Sequence, residues 1–524
     1  SCSSREHSRH MNNPFYYSPS PDCLAAAKEL TDWLEGKPSP FSDTRVDESF
    51  KKEIDKGKMF GVLIVDGDND LTKGKKVKYV AGYSGQICGR ADWGGFVPAV
   101  FDYLRPDGYF KRHEAEITQL NKDIKAQSLH VIDADSAKRR ERDDDKRPTF
   151  AKGKREGESD DDYVSRRQFE NAELHRWKLR QREAEESVVK EKDRLAQLKT
   201  LRRQKSDDLQ RWLFRQFRML NSKGESKDLI EIRGGDIPPA GSGECCEPRL
   251  LQYAFLHGLR PKAMAMFWWG ESPKGEVRHH LHFYPACNGK CKPILKWMLQ
   301  GMDVDDNPLE SEKGDEGLTA QLQTVYEDDD VCIVCKPAGL LSVPGKSGRA
   351  SVLTAMRHRF PDSPSPLIVH RLDMATSGLM IIAKTMQAYH DLQRQFANHE
   401  IRKRYVAVLS RPLPDDTPKE GRVSLSIRPD LDDRPRQIVD KEHGREALTY
   451  YKQVGSNRIW LWPRTGRTHQ LRLHCAHKLG LDDPIKGDTL YGTQSDRLYL
   501  HAEAISFRHP TTGKDMTFTK RAPF

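Results

Sequence analysis

Short runs of apolar residues towards both ends of the chain predict β-strands. Residues 59–65 form an apolar run that ends in the turn-forming stretch 66–70, and residues 77–83 alternate as a returning strand would. We therefore expect a folded region at 1–110. Nearer the C-terminus, apolar runs predict further buried strands at 331–335, 367–369 and 379–383. With few long helices among them, residues 320–524 are predicted to form an α+β domain with a mixed, mainly antiparallel sheet, large enough at about 200 residues to bury its own core.

Between these regions, from 111 to 225, the pattern is helical and strongly charged. Half of the residues from 151 to 210 are charged, with both signs interleaved. A heptad frame nevertheless places apolar residues on one seam: Leu174, Trp177, Ala184, Val188, Leu195, Leu198, Leu209, Trp212 and Met219. Because five polar residues interrupt this seam, an antiparallel, coiled-coil-like hairpin with a helix at 113–130 is favoured over a parallel dimer zipper. The segment is also a candidate for self-association, although a charge-rich helix is usually a solvated surface.

The segment 226–319 is rich in cysteine and aromatic residues. Its four cysteines, Cys245, Cys246, Cys287 and Cys291, could together bind zinc through thiolates. Their spacing is an adjacent pair followed by C-x3-C, which differs from two C-x2-C pairs. Buried reduced cysteines in a small aromatic core are the alternative, and the sequence leaves both interpretations open.

Composition narrows the class of protein. The 524 residues include 87 Lys and Arg against 77 Asp and Glu, and this net charge of +10 suits an RNA ligand without requiring one. No run approaches the ~18 apolar residues that a membrane-spanning helix needs. Ten cysteines are too few for a disulfide scaffold of this length, and no apolar segment near the start predicts a secretory signal. We therefore expect a cytoplasmic protein.

The strongest chemical signal is the sequence HRLDMATSGL at 370–379. It lies between the apolar runs 367–369 and 379–383, so Arg371 and Asp373 are expected on a loop between two buried strands. Loops held by a rigid scaffold often carry catalytic side chains. A surface loop with an Arg–Asp ion pair would have the same local pattern, and this segment alone does not decide between the two.

Two further motifs place basic and aromatic residues near predicted turns. Tyr405 lies within the basic run RKRYVAV at 402–408, and TGRTHQLRLH at 465–474 places two Arg and two His around one turn. Together with HRLD, these motifs resemble those of the RluA-type pseudouridine synthases. The resemblance covers residues 320–524 and includes four more motifs in the family's order: KPAGL at 336–340, GREALTY at 444–450, PIKGD at 484–488 and LHA at 500–502.

The resemblance implies an isomerase that converts uridine in RNA to pseudouridine and requires no cofactor. It implies that Asp373 is the essential aspartate, that Tyr405 is the active-site tyrosine, and that Arg472 pairs with the aspartate. Arg371 would fill the gap left by a flipped nucleotide, and Leu471 would lie against the base. The chemistry requires an ionised carboxylate, which either attacks the sugar or removes a sugar proton; the sequence does not choose between these routes.

Three more residues of the family-like motifs are candidates for RNA contact: Lys336, Arg467 and His469. Arg467 and His469 could equally support their loop. The expected substrate is a structured loop of ribosomal RNA, with transfer RNA as a second candidate. The long extension at 1–319 resembles that of a bacterial subgroup of the family, and it leaves the identity of the modified RNA open.

A second function from another class is a non-catalytic factor for RNA binding or ribosome assembly that has kept a synthase fold. Loss of the aspartate, the tyrosine or the second arginine would favour it. Asp373, Tyr405 and Arg472 are all present, so the sequence favours the enzyme.

Overall fold

The computed structural model describes residues 10–142, 147–307, 310, 315–345 and 349–524. The chain divides into two compact units. The first unit contains the residues up to Val100 and from Arg218 onwards, and the second contains Phe101–Phe217. No helix among the described residues is both long enough and apolar enough to span a membrane.

The first part of the chain supplies the beginning of an N-terminal region. Its elements are β1 (His10–Met11), α1 (Pro21–Leu34), α2 (Glu48–Ile54), β2 (Lys58–Asp66) and β3 (Tyr79–Tyr83). The second unit consists mainly of two helices, α3 (Tyr109–Glu141) and α4 (Asp160–Gln216). The chain then completes the N-terminal region with β4 (Arg218–Leu220), β5 (Ser226–Asp228), α5 (Leu229–Ile232), α6 (Cys246–Leu256), β6 (Arg260–Trp269), α7 (Cys291–Met298) and β7 (Asp303–Val304).

The N-terminal region, residues 10–100 and 218–307, is built on the three-stranded sheet β3-β2-β6. Both partners of β2 run antiparallel to it, so the predicted strands at 59–65 and 77–83 are present and adjacent. Apolar side chains of α1, α2 and these strands share one core. The residues predicted as separate segments before and after the helical stretch therefore contribute to a common sheet, because β6 lies beside β2 across the insertion.

The second unit is an antiparallel helical hairpin. Polar contacts join α3 and α4 along their length: Lys205 to Glu116 at 2.7 Å, Gln127 to the Glu191 carbonyl at 3.1 Å, and Lys138 to Glu185 at 2.7 Å. The seam residues that lie within α4 are buried or half-buried. The predicted long helix is therefore confirmed, but it ends at Gln216. Met219, assigned to the seam from the heptad frame, lies in β4 instead.

Residues 315–524 form the C-terminal region, which contains a single large sheet. Its elements are α8 (Asp315–Ala320), β8 (Gln323–Glu327), β9 (Val331–Lys336), α9 (Val352–Arg359), β10 (Leu367–Ile368), β11 (Ser377–Ala383), α10 (Met386–Ala397), β12 (Arg402–Val408), β13 (Glu420–Pro429), β14 (Gln437–Val439), β15 (Arg445–Gln453), β16 (Arg458–Pro463), α11 (Gln470–Ala476), β17 (Leu500–Arg508) and β18 (Asp515–Thr519).

The strands of this sheet follow the order β14-β13-β15-β16-β12-β17-β11-β9-β8, with β10 paired to β11 and β18 paired to β17. Among the described residues of the sheet, β11 with β17 is the only parallel pair. The α+β class and the mixed, mainly antiparallel sheet are therefore confirmed. Gly378 makes the parallel pairing possible: its φ is +126°, and a Cβ there would lie 2.4 Å from the Ala502 carbonyl oxygen.

The segment between β6 and α7 packs directly against the C-terminal region. Val277 belongs to the core of that region, and the Val439 amide donates to the Gly275 carbonyl at 2.8 Å. Nε2 of His477 lies 3.0 Å from the Lys274 carbonyl. Within the first unit, the N-terminal region thus contributes side chains and backbone to the support of the large sheet.

Candidate active site

One cleft in the C-terminal region brings together most of the predicted site residues. It lies where the loop between β10 and β11 meets β12 and the turn that leads into α11. Its lining includes seven of the predicted residues: Arg371, Asp373, Tyr405, Arg467, His469, Leu471 and Arg472. Lys336 is absent from this lining.

Hydrogen bonds to its backbone hold the loop that carries Asp373. The Ser342 hydroxyl donates to the Leu372 carbonyl at 2.7 Å and accepts from the Leu372 amide at 3.0 Å. The Thr376 amide donates to the Asp373 carbonyl at 3.1 Å. The backbone is thus fixed on both sides of Asp373, whose partly exposed side chain lines the cleft.

Lys336 is a buried support of this loop, so the prediction that it contacts RNA is wrong. Its side chain is 0% exposed, and Nζ donates to three carbonyls, those of Pro337, Leu340 and Met374, at 2.7–3.0 Å. Burial lowers the pKa of Lys336 to about 7. All three donors of the ammonium group are used within the protein, which leaves none for a phosphate.

Arg472 joins two carboxylates. Its Nε and Nη2 donate to the two oxygens of Asp488 at 2.8 and 2.7 Å, and Nη1 lies 3.9 Å from Oδ2 of Asp373. Burial opposes the charge of Arg472, but Asp488 and then Asp373 raise its pKa above the usual value. The guanidinium is therefore a fixed cation, with its third nitrogen directed at the predicted catalytic carboxylate.

Asp488 is a site residue that sequence reasoning missed. It is 0% exposed, and Oδ1 also accepts from the amides of Leu490 and Tyr491 at 3.0 and 3.1 Å. Burial raises the pKa of Asp488, but Arg472 and these amides outweigh it and lower the pKa below the usual value. The signal was available, since Asp488 ends the PIKGD motif, but nothing in the motif indicates its partner.

Tyr405 and Leu471 form the apolar side of the cleft. Tyr405 lies on β12 opposite Leu461 of β16, and only 7% of its surface is exposed. Burial and the charge of Asp373 raise its pKa, so the phenol stays protonated at neutral pH. Leu471, on the first turn of α11, is also 7% exposed. A flat ring entering the cleft would thus meet apolar carbon and one hydroxyl.

Arg371 and Arg467 are the exposed cations at the mouth of the cleft. Arg371 follows the half-buried His370, whose ring accepts a hydrogen bond from the Ile381 amide at 2.9 Å. Arg467 reaches the Glu446 carbonyl at 3.2 Å through Nε, which leaves its terminal nitrogens towards solvent. Both residues therefore place positive charge at the mouth of the cleft.

The surroundings of His469 favour a role in supporting its loop over direct contact with RNA. It is 8% exposed, its φ is +52°, and Nδ1 lies 3.0 Å from the Tyr491 hydroxyl. Burial and the nearby Arg472 lower its pKa to about 4, so the ring is neutral. The adjacent Gln470 ties the same turn to the Leu448 carbonyl at 3.0 Å.

Lys403 is a second residue that sequence reasoning missed. It lies on β12 two positions before Tyr405 and lines both the cleft and a neighbouring groove. Burial lowers its pKa to about 8. The basic run at 402–404 signalled positive charge, but only the strand register shows which of its residues faces the cleft.

Of the four cysteines considered as zinc ligands, three lie together and the fourth lies apart from them. Cys245, Cys287 and Cys291 lie together in the N-terminal region, with their sulfur atoms within 4.8 Å of one another. Cys246 does not join them. Its sulfur packs at the paired glycines of β2 and β3, 2.8 Å from where a Cβ on Gly61 would lie. Successive residues at the start of α6 point in different directions, and this excludes the predicted four-cysteine set.

Comparison with known proteins agrees with this geometry. A family model described as RNA pseudouridylate synthase matches residues 330–477. The dual-specificity RNA pseudouridine synthase RluA of Escherichia coli (strain K12) is 42% identical over 215 residues, which are 39% of this chain and 94% of the relative. The protein of the same name from Haemophilus influenzae is 39% identical over 219 residues, 40% of this chain and 96% of the relative.

Among solved structures, human RNA Pseudouridylate Synthase Domain Containing 1 is similar with a TM-score of 0.33 and 24% identity. The similarity covers 42% of this chain and 87% of that one. The identity to the bacterial relatives, over nearly their whole length, decides the family, whose members act without a cofactor. The chain belongs to the RluA-type family of RNA pseudouridine synthases, isomerases that convert uridine to pseudouridine in RNA.

Proposed function

We propose that this enzyme modifies a uridine in a structured loop of ribosomal RNA, and that it also accepts transfer RNA, with Asp373 as the catalytic carboxylate. The observation that carries the assignment of Asp373 is its relation to Arg472. Nη1 of Arg472 lies 3.9 Å from Oδ2 of Asp373, and Asp488 binds the same guanidinium through its other nitrogens and fixes its position. The bacterial relatives are named dual-specificity RNA pseudouridine synthases, which supports a range of more than one RNA.

The reaction breaks the bond between C1′ of the ribose and N1 of the base and forms a bond between C1′ and C5. The proton lost from C5 is matched by one gained at N1, so no oxidant or other co-reactant is consumed. Asp373 supplies the carboxylate, either as a nucleophile at C1′ or as a base towards the sugar. Tyr405, protonated in the free enzyme, relays the C5 proton or stacks on the detached base.

Access to the base requires that the nucleotide leave its stack, at a cost of a few kcal/mol. Arg371 is exposed at the mouth of the cleft and can occupy the vacated position. A planar guanidinium stacks on bases and forms hydrogen bonds in the same plane. This role for Arg371 gives a reason for an arginine, and not a lysine, two residues before Asp373.

A groove beside the cleft offers a path for the flanking nucleotides. Lys403 and Pro463 line both features, so the groove opens directly from the cleft. It combines the cations Arg402 and Arg464 with Tyr450 and Trp462. Tyr450 and Trp462 face each other across β15 and β16, and Arg464 lies over the Tyr450 ring at 5.7 Å. Positive charge with aromatic rings is the combination that binds unpaired nucleotides.

The test is to map pseudouridine across total ribosomal and transfer RNA in cells with and without this protein. We expect at least one site to be lost on deletion and restored by the wild type but not by Asp373→Asn. The exposed Asp362→Asn is the matched control and should restore the site fully. Purified Asp373→Asn should bind the target RNA normally and lose about 10³-fold or more in rate.

Two outcomes would overturn the proposal. Full restoration by Asp373→Asn would remove the role of Asp373. If no site in ribosomal or transfer RNA changes on deletion, the proposed substrates are wrong. Tight RNA binding without turnover would then favour the non-catalytic factor.

A further inference from the structure

Two helices of the N-terminal region begin at one cluster of sulfur atoms. Cys245 is the N-cap of α6, and Cys291 is the first residue of α7. Cys287 lies in the turn before α7, where its sulfur accepts a hydrogen bond from the Cys291 amide at 3.3 Å. All three sulfur atoms lie within 4.8 Å of one another, and the three cysteines form no disulfide.

This arrangement has the chemistry of a thiolate metal site. Three sulfurs bound to one zinc ion at about 2.3 Å in a tetrahedral geometry would be roughly 3.8 Å apart, so a small adjustment suffices. The three sulfurs meet at the starts of two helices, and the Cys287 sulfur already accepts a hydrogen bond from the Cys291 amide. The cluster joins segments more than 40 residues apart in sequence.

We propose that Cys245, Cys287 and Cys291 bind one Zn²⁺ ion, which links the start of α6 to the start of α7. The described residues bring no fourth sulfur, imidazole or carboxylate into the group, so water takes the fourth position. The ion is structural and takes no part in the isomerisation, since none of these cysteines lines the cleft.

The zinc loop, defined as residues 287–291, also contacts the C-terminal region. The Asn288 amide donates to Oδ1 of Asp433 at 2.9 Å, and Nε of Arg436 donates to Oδ2 of the same carboxylate at 3.1 Å. Next to Arg436, the Gln437 amide donates to the Tyr491 hydroxyl at 2.7 Å. Tyr491 in turn lies beside His469 of the cleft. Zinc would therefore stabilise the loop from which this chain of contacts starts.

The first experiment is to measure metal in the purified protein by mass spectrometry after dialysis against metal-free buffer. We expect about one zinc per chain in the wild type and less than about a tenth of that in Cys287→Ser and Cys245→Ser. Cys246→Ser is the matched control, because Cys246 is adjacent in sequence and outside the cluster. It should retain the full zinc content.

A second measurement uses the wild type alone, in case the serine variants fail to fold. Titration with a mercurial reagent should release zinc as three thiols react, and Co²⁺ in its place should give sulfur-to-metal charge-transfer bands. Absence of bound metal after incubation with Zn²⁺, or a disulfide within the cluster, would overturn the proposal. So would unchanged zinc in Cys287→Ser. These readouts are independent of pseudouridine formation, so the site and the proposed function can fail separately.

Discussion

Arg472 is bound more closely to Asp488 than to Asp373: two hydrogen bonds of 2.8 and 2.7 Å join it to Asp488, against a nearest approach of 3.9 Å to Asp373. The buried pair thus fixes the guanidinium, and the carboxylate of Asp373 lies beyond hydrogen-bond distance from it. The role proposed for Asp373 benefits from this separation, because a tight ion pair with Arg472 would have to be broken before the carboxylate could react. In the proposed mechanism Asp488 acts through Arg472 and is a positioning residue.

We expect Asp488→Asn to lose stability and activity together. Removing one partner leaves the buried charge of Arg472 unbalanced, which costs about 3–5 kcal/mol in the free energy of unfolding. Arg472 would then turn towards Asp373 and compete with the substrate. Denaturant unfolding and single-turnover rates measure the two effects. Asp482→Asn is the control, since Asp482 is exposed and its φ of +52° suits asparagine. Unchanged stability in Asp488→Asn would contradict this reading.

Lys336→Met should reduce the stability of the protein, whereas Arg371→Met should change the salt dependence of RNA binding. Lys336→Met leaves three carbonyls without their donor, so we expect a loss of about 3 kcal/mol or more in stability and a slower reaction, with the salt dependence of RNA binding unchanged. Arg371→Met should leave stability within about 0.5 kcal/mol and reduce the slope of log affinity against log salt by about 1. A normal melting temperature for Lys336→Met would show that the carbonyl contacts contribute little.

RNA affinity should fall as the pH rises through about 8, because burial lowers the pKa of Lys403 to that value. Below this pH Lys403 is a cation that can bind a phosphate, and above it the charge is lost. We expect about tenfold weaker binding at pH 9 than at pH 7. Lys403→Arg keeps its charge throughout and should remove most of this dependence. An equal pH dependence in wild type and Lys403→Arg would assign the effect to another group.

Trp462→Ala should weaken the binding of RNA that carries unpaired nucleotides beside the target uridine. Loss of one stacking partner costs about 1–3 kcal/mol. Trp460→Ala is the comparison variant: Trp460 is also on β16, and its ring lies under the Arg404 guanidinium at 4.4 Å, outside the lining of the groove. Affinities measured on substrates with and without flanking nucleotides separate the groove from the cleft. Equal losses in both variants would indicate a general effect on the sheet.

Much of the fold is predictable from local pattern. The apolar runs at 331–335 and 379–383 correspond to β9 and β11, and the heptad seam from Leu174 corresponds to the buried side of α4. The pairing of β2 with β6 was not predictable, because alternation within a strand carries no information about a partner almost 200 residues away. The end of α4 was also missed, because the apolar frame continues to Met219 although the chain turns into β4.

The sequence motifs identified the residues of the site, but they did not show which of these residues are buried or which contact one another. HRLD, RKRY and HQLR indicated Asp373, Tyr405 and Arg472, and the cleft brings the three together. The sequence could not show that Lys336 is buried, because a lysine carries the same charge at a surface as under a loop. Nor could it separate Cys245 from Cys246. That distinction depends on which side of a helix start each sulfur faces.

The pairing of β2 with β6 across the helical insertion affects how the nascent chain folds. About 200 residues separate the end of β2 at Asp66 from the end of β6 at Trp269. At ~5–20 residues per second, β2 leaves the ribosome roughly 10–40 s before its partner. Until then one edge of β2 has unpaired backbone groups, which can pair with other chains. The α3–α4 hairpin needs only contacts within itself and can form during this wait. The N-terminal region therefore stays open to aggregation until translation has passed Trp269.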